Sequence, residues 1–356
     1  MSIDTVLRDS VIAIARVLRD PSSVATAQRT AVEALYTFGF TGGDWAVTPS
    51  KRLAEGLAIA PKDAATCILD HRRTALFLRA LDSAIGEAAR SFKERPLRVL
   101  YAGCGPLAPF ALLASCLYPP ELVRFRLVDI HAESLAAASR LFDALGHAAS
   151  IEDCLCADAT TLQLDSSYYP HISIAETLQQ ALFHEPQVAL TLNLARQMVP
   201  GGIWLPRRIR VELVLADLAL EHANAGALRR RLVLGRLLDL TAHHADALTQ
   251  QRQNSGDNTL PTAHWTVPYE ALNMHVLLCT RIEPGADLLL DEYESGLTHP
   301  YVCHALGTPS PGMQLMTRYR FGGKPGFEIE LAAIAAEFTA DPSRALKPNT
   351  TRGRPP

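Results

Sequence analysis

The sequence predicts an α/β chain, a doubly wound parallel sheet preceded by a helical segment and followed by a β-rich region. Three observations predict it. Strand-like and helix-like stretches alternate for more than a hundred residues after Pro96. The first of these strands ends on Gly103-Cys104-Gly105 ahead of a helix, and from Ile203 onward strands follow one another with few helices between.

The N-terminal part is read as helical. Val11, Ile12, Ile14, Val17 and Leu18 recur near helical spacing, and a second helical run surrounds Ala31 to Tyr36. After the Gly- and Pro-containing linker FTGGDWAVTPSK, the stretch APKDAATCILDHRRTALFLRALDSAIGEAARSF has the composition of one or two long helices. Residues 1–95 are therefore expected to form an all-helical cap.

Next comes PLRVLYAGCGPLAPFALLASCL, in which an apolar strand, a glycine turn and a helix follow in order. RFRLVDIH reads as the second strand, SLAAASRLFDALG as its helix, IEDCLCADAT as a strand edge and HISIAET as a further strand. A helix through VALTLNLARQM and a Pro-Gly-Gly turn complete this unit, placed at 96–206. The β-rich domain is placed at 207–340, a sandwich or barrel, interrupted by one helical stretch, ALRRRLVLGRLLDLTAHHADAL. Residues 341–356, basic and proline-rich without apolar period, read as a flexible tail.

Composition narrows the function. The chain has 356 residues, 48% hydrophobic and 20% charged, enough for two domains. A net charge of -3 gives no reason to expect nucleic acid or an acidic membrane as a partner. The seven cysteines are odd in number and lack a C-x2-C pair, so neither a disulfide framework nor a zinc site is expected. Charges at Asp4, Arg8, Asp9, Arg16, Arg19 and Asp20 interrupt any apolar stretch that could serve as a signal or a membrane span. A cytoplasmic, reduced protein is expected.

The glycine turn is the first chemical signal. Ala102, Gly103 and Gly105 close a strand where backbone must approach a bound nucleotide without a Cβ in the way. Asp129, followed by Ile130, ends the next strand, where a carboxylate can accept hydrogen bonds from both ribose hydroxyls. Ala108 stands at the third glycine position of a dinucleotide motif, which leaves the choice of nucleoside cofactor open. Asp158 and Ala159 lie at a third strand end, where an acid or its neighbouring backbone can read an adenine amino group; an ordinary turn aspartate is the alternative.

Taken in order, these residues resemble the class I S-adenosylmethionine methyltransferases, and more closely the arginine (guanidino) N-methyltransferases. Asp70-His71-Arg72-Arg73-Thr74 is similar to the family's D-x-x-R-T, which implies that Arg73 grips the methionine carboxylate of the cofactor. Glu176 and Glu185, nine positions apart, resemble the family's double-glutamate loop, and PGGIWLP resembles its strand into the second domain. The resemblance covers residues 65–215 well and the remainder in outline. It implies S-adenosyl-L-methionine as cofactor and S-adenosyl-L-homocysteine as product.

Two carboxylates suit a guanidinium. Its pKa lies above about 12 and its charge is delocalised, so its nitrogens are poor nucleophiles. A bidentate clamp can localise that charge and aim one nitrogen at a methyl group. Glu176 and Glu185 are the expected catalytic and substrate-binding pair. The departures lie on the substrate side: Tyr101 replaces the usual acid before the glycines, Leu107 replaces a common third glycine, and the N-terminal Y-F-x-x-Y has no clean copy. Of two imperfect copies of the T-H-W loop, Thr262 to Trp265 and Thr298-His299-Pro300, the second is preferred, with His299 substrate-binding.

These departures point to a small guanidine as acceptor, most simply free L-arginine in a biosynthetic pathway. Protein arginine methylation, a small-molecule methyltransferase or other S-adenosylmethionine-consuming enzyme with another acceptor, and a non-catalytic cofactor-binding scaffold are the alternatives. The leucine-rich stretch from Ala227 to Leu248 is read as a helix that the resemblance makes a dimerisation arm, so a homodimer is expected.

Overall fold

A computed structural model describes residues 3–40, 44–221, 229–308 and 312–332. The tail placed at 341–356 lies outside the described residues, as do Ala227 and Leu228 of the expected arm.

Helices α1 (Ile3–Arg19) and α2 (Ala25–Phe40) pack with each other and on α4 (His71–Ser91). Asp70 starts α4 as its N-cap, its side chain accepting from the Arg73 backbone N–H at 3.1 Å, which satisfies one of the free donors of the first turn. Leu76, Phe77, Ala80, Leu81, Ala84, Ile85 and Ala88 recur every three or four residues and are buried, so one stripe of the helix joins the core.

The cap is not all-helical. Strands β1 (Lys51–Leu53) and β2 (Gly56–Ala58) form an antiparallel hairpin ahead of the short helix α3 (Pro61–Thr66). Strands of three residues carry no period, and what holds this hairpin is tertiary: the Leu57 N–H donates to the His184 carbonyl at 2.8 Å. Gly56, at φ +146°, permits the approach, since a Cβ there would stand 2.8 Å from the same oxygen.

The Rossmann-like core holds β3 (Leu97–Ala102), α5 (Pro109–Ser115), β4 (Val123–Asp129), α6 (Ala132–Ala144), β5 (Ile151–Cys156), β6 (Ile172–Ala175), α7 (Gln187–Leu194) and β7 (Ile203–Leu205). Its five strands run parallel in the order β5-β4-β3-β6-β7. Strand order reverses between β3 and β6. In such sheets ligands bind outside the carboxyl ends of the strands at this switch point.

Only two residues separate β7 from β8 (Arg208–Ala216), and after the short helix α8 (Leu218–Glu221) the chain reaches β9 (Arg231–Leu240). There follow α9 (Ala245–Ser255), β10 (Ala263–Thr266), β11 (His275–Glu283), β12 (Tyr301–Ala305), β13 (Gln314–Arg320) and β14 (Gly326–Ala332). They build two antiparallel sheets, β12-β11-β8-β9 and β10-β13-β14.

The helical reading of Arg231 to Leu240 is overturned. This stretch is an edge strand paired with β8 from Ile209 opposite Leu240 to Ala216 opposite Arg231, with register shifts at Val211/Glu212 and Leu213/Val214. Leucine suits either state, and the cross-strand partners decide: Asp239 accepts from Arg208 Nε at 2.6 Å and Nη2 at 2.8 Å, and Gly235 lies beneath the Trp265 ring, where a Cβ would meet Cζ3 at 2.4 Å. Of the described residues of the expected arm only Ala245 to Leu248 are α-helical, as the first turn of α9, and that helix packs against α7 of its own chain.

Candidate active site

A cavity lies at the switch point. Tyr101, Gly103 and Gly105 line it from the end of β3, Asp129, Ile130 and His131 from β4, Ala157 to Thr160 from β5, and Glu176 and Thr177 from β6. Cys67 closes it from the turn before α4, Arg73 and Thr74 from the start of that helix, and Leu53, Leu57, Ala58 and Ile59 from the hairpin segment. Glu185 and Pro186 enter from the loop before α7.

The glycine turn behaves as its stereochemistry requires. Gly103 sits at φ +71°, and a Cβ on it would stand 2.5 Å from Thr177 Cγ2. Ala108, at φ 37°, takes the left-handed position ahead of α5 without a glycine. Ala102 does not line the cavity. Successive strand residues face opposite sides, so Tyr101 points to it while Ala102 joins the core of Leu100, Val128 and Trp204.

Asp129 is buried, its Oδ2 accepting from the Gly105 N–H at 2.9 Å and its Oδ1 from the His131 N–H at 2.8 Å. Burial raises its pKa and the two N–H donors pull the other way. Each oxygen retains a second lone pair for a ligand hydroxyl. Asp158 Oδ1 accepts from the Thr160 N–H at 2.9 Å and Oγ1 at 2.7 Å, so the carboxylate both lines the cavity and closes its own turn.

The charged end is built by three residues. Arg73 and Glu176 form an ion pair with both side chains 8% exposed. Arg72, one position away, turns instead to the surface and pairs with Glu294 at 3.1 Å. Burial works against the Arg73 charge, but Glu176 and its other anionic neighbours more than offset this and its pKa is raised. Burial raises the Glu176 carboxyl too, with Arg73 opposing.

Glu185 is the least compensated of the three. Burial and the Glu176 charge push its pKa up to about 7, against the pull of Arg73. Gln187, buried at the start of α7, fixes the loop on its far side: its Oε1 accepts from the Thr177 N–H at 3.0 Å and Oγ1 at 3.1 Å. Tyr101 is buried, and burial together with Glu176 raises its hydroxyl well above the ordinary value, so it stays neutral. Burial likewise raises the Cys67 thiol.

No family model and no curated protein matches the chain. Among solved structures it is similar to a Trypanosoma brucei PRMT1 enzyme-prozyme heterotetrameric complex with AdoHcy, at 14% identity and a TM-score of 0.48, over 76% of this chain and 92% of that one. A likeness of this size assigns no individual residue.

Of the residues expected from the sequence, Arg73, Gly103, Gly105, Asp129, Ile130, Asp158, Ala159, Glu176 and Glu185 share the one cavity. His299 does not line it and is exposed, its ring 5.3 Å from that of Tyr293. Its backbone does reach the loop, the carbonyl accepting from Gln180 Nε2 at 2.6 Å. The other candidate, His264, lies in β10, where neighbouring Trp265 donates to Thr317 Oγ1 at 2.9 Å. Sequence reasoning missed Cys67, His131, Thr160 and the hairpin wall; His131, two residues beyond Asp129, was the readable one. Among the described residues no helix is long and apolar enough to cross a membrane.

Proposed function

We propose that this cavity binds S-adenosyl-L-methionine and directs methyl transfer to a guanidino nitrogen of a small molecule, free L-arginine first among the candidates. The observation that carries this reading is the convergence of Arg73, Glu176 and Glu185 in one buried cavity with the glycine turn and Asp129.

The residues fit that cofactor. The bare Gly103 leaves a cradle that a Cβ would fill, and Asp129 can accept from two ribose hydroxyls. Arg73 carries five N–H donors in a planar fork, so it can keep Glu176 and still take a second carboxylate, that of a methionine end. When bound, the cofactor supplies an electrophilic methyl group on a cationic sulfur.

The chain's own contribution is positional and electrostatic. Glu176 and Glu185 accept from the N–H groups of one guanidinium, which orients its plane and concentrates its charge away from the reacting nitrogen. Arg73 keeps the Glu176 carboxylate in place. Glu185, with a pKa of about 7, is matched to take up the proton that the guanidinium nitrogen must lose. Leu53, Leu57 and Pro186 wall this end and limit water.

The test is incubation with methyl-labelled S-adenosylmethionine and, in separate reactions, free arginine, other small guanidines or Arg-Gly-rich peptides, read by mass spectrometry. Label in a small guanidine supports the reading. Label confined to peptides replaces it with protein arginine methylation, and none in any guanidine removes the guanidine acceptor.

A further inference from the structure

The nine positions from Glu176 to Glu185 would carry the two acids far apart if extended, yet both carboxylates enter one cavity. The chain folds back through three non-glycine residues in the left-handed region, Ala181 at φ 52°, Leu182 at φ 58° and His184 at φ 64°. Side chains with a Cβ resist that region, so such a run persists only where its surroundings impose it.

The surroundings are identifiable. The Tyr319 hydroxyl donates to the Leu182 carbonyl at 3.2 Å, the His184 N–H donates to the Pro325 carbonyl at 2.9 Å, and the His184 carbonyl accepts from Leu57. Gln180 is tied to the His299 carbonyl, and Phe183 lies so close to Gly326 that a Cβ there would be 2.2 Å from its ring. Most of these anchors come from the β-rich region, not from the sheet that carries Glu176. Tyr319 is the buried one among them that acts through a side-chain hydroxyl, and the edges of Phe321 and Phe327, at 5.2 and 5.1 Å, fix its ring.

We propose that Tyr319 is a positioning residue for Glu185, holding the left-handed run that delivers this carboxylate to Glu176 and Arg73. The proposal rests on the function given above, but its first readout does not. Glu185 is faced by Glu176 at the end of β6, by Arg73 of α4 and by the Cys67 thiol, and its high midpoint reflects that buried place. Releasing the loop carries the carboxyl toward water and its midpoint toward the ordinary carboxylate range.

The experiment compares wild type with Tyr319→Phe, which keeps the ring, and with Gln180→Ala, which cuts the loop's tie to His299 two residues before Leu182. The Glu185 titration is followed by carbon NMR of glutamate-labelled full-length protein and assigned with Glu185→Gln. The expected result is a midpoint lowered by at least one pH unit in both variants, partly restored when His184→Gly is added, because glycine takes φ near 64° without penalty. Affinity for S-adenosylhomocysteine stays within twofold, while kcat on a guanidine acceptor falls tenfold or more. Unmoved midpoints in folded variants overturn the proposal, as does a lowered midpoint that His184→Gly leaves unrestored. If wild type methylates no guanidine, the functional reading fails and the midpoints still decide the role of Tyr319.

Discussion

Arg73 holds Glu176 in a buried ion pair inside the cavity that Glu185 also lines, so one cation faces two carboxylates. With both carboxylates ionised the three side chains carry one uncompensated negative charge, which the proposed guanidinium would neutralise.

Removing either carboxylate separates clamping from cofactor binding. Glu185→Gln is expected to lower kcat on a guanidine acceptor by about 10²–10³, the scale of a lost preorganised electrostatic contact, while affinity for S-adenosylhomocysteine changes little. Glu176→Gln lowers kcat comparably and also disturbs Arg73. Steady-state methyl transfer beside calorimetric binding checks both, and turnover within a few-fold of wild type removes the clamp.

The pH dependence follows from Glu185. A clamp needs both carboxylates ionised, so kcat/KM rises with pH through about 7 and is low below it. The stability effect has the opposite sign. A folded pKa of about 7 against an ordinary value of 4.5 means the native state holds its proton more tightly, so stability falls as pH rises from 4.5 to 7. The shift corresponds to about 3 kcal/mol as an upper figure. Glu185→Gln should therefore raise Tm at pH 8 and leave it nearly unchanged at pH 4.5, as thermal melts at the two pH values will tell.

Arg73→Met strands a buried Glu176 carboxylate. Breaking a buried pair from one side typically costs about 3–5 kcal/mol, so a large loss of stability is expected along with weakened cofactor binding. Adding Glu176→Gln to Arg73→Met should return most of the stability and none of the binding. Denaturant titrations of the four proteins of this cycle measure the coupling.

Gly103→Ala puts a Cβ 2.5 Å from Thr177 Cγ2 on a backbone at φ +71°, and cofactor affinity should fall at least tenfold. Gly86→Ala, on α4, meets only Arg90 Nη1 at 3.6 Å and should leave affinity unchanged while stabilising the helix by up to about 1 kcal/mol. Equal effects of the two substitutions on affinity would show that the turn is not the cradle.

The parts of the site legible in the sequence are those where local stereochemistry dictates residue type. Gly103 and Gly105 mark a turn that only glycine takes easily, and Asp70 as N-cap fixes the helical phase that sends Arg73 inward and Arg72 outward. What stayed hidden depends on distant partners. Nothing in Ala181, Leu182 or His184 announces a left-handed run, and nothing in Arg231 to Leu240 prefers a strand until β8 lies beside it. His299 lies outside the cavity, and the contact with the start of α4 falls a few residues earlier, on Ser295 and Gly296.

Asp70 divides its carboxylate between two halves of the chain. One oxygen caps α4, and the other accepts from Ser295 Oγ at 2.5 Å and the Gly296 N–H at 3.2 Å. A polypeptide that ended at the short link between β7 and β8 would lack those donors and, with them, every anchor that Tyr319 and Pro325 give to the Glu185 loop. The cofactor half is therefore no detachable module. A transplant of this chemistry to another scaffold has to carry both halves, because the residue that starts the helix bearing Arg73 is completed from the far end of the sequence.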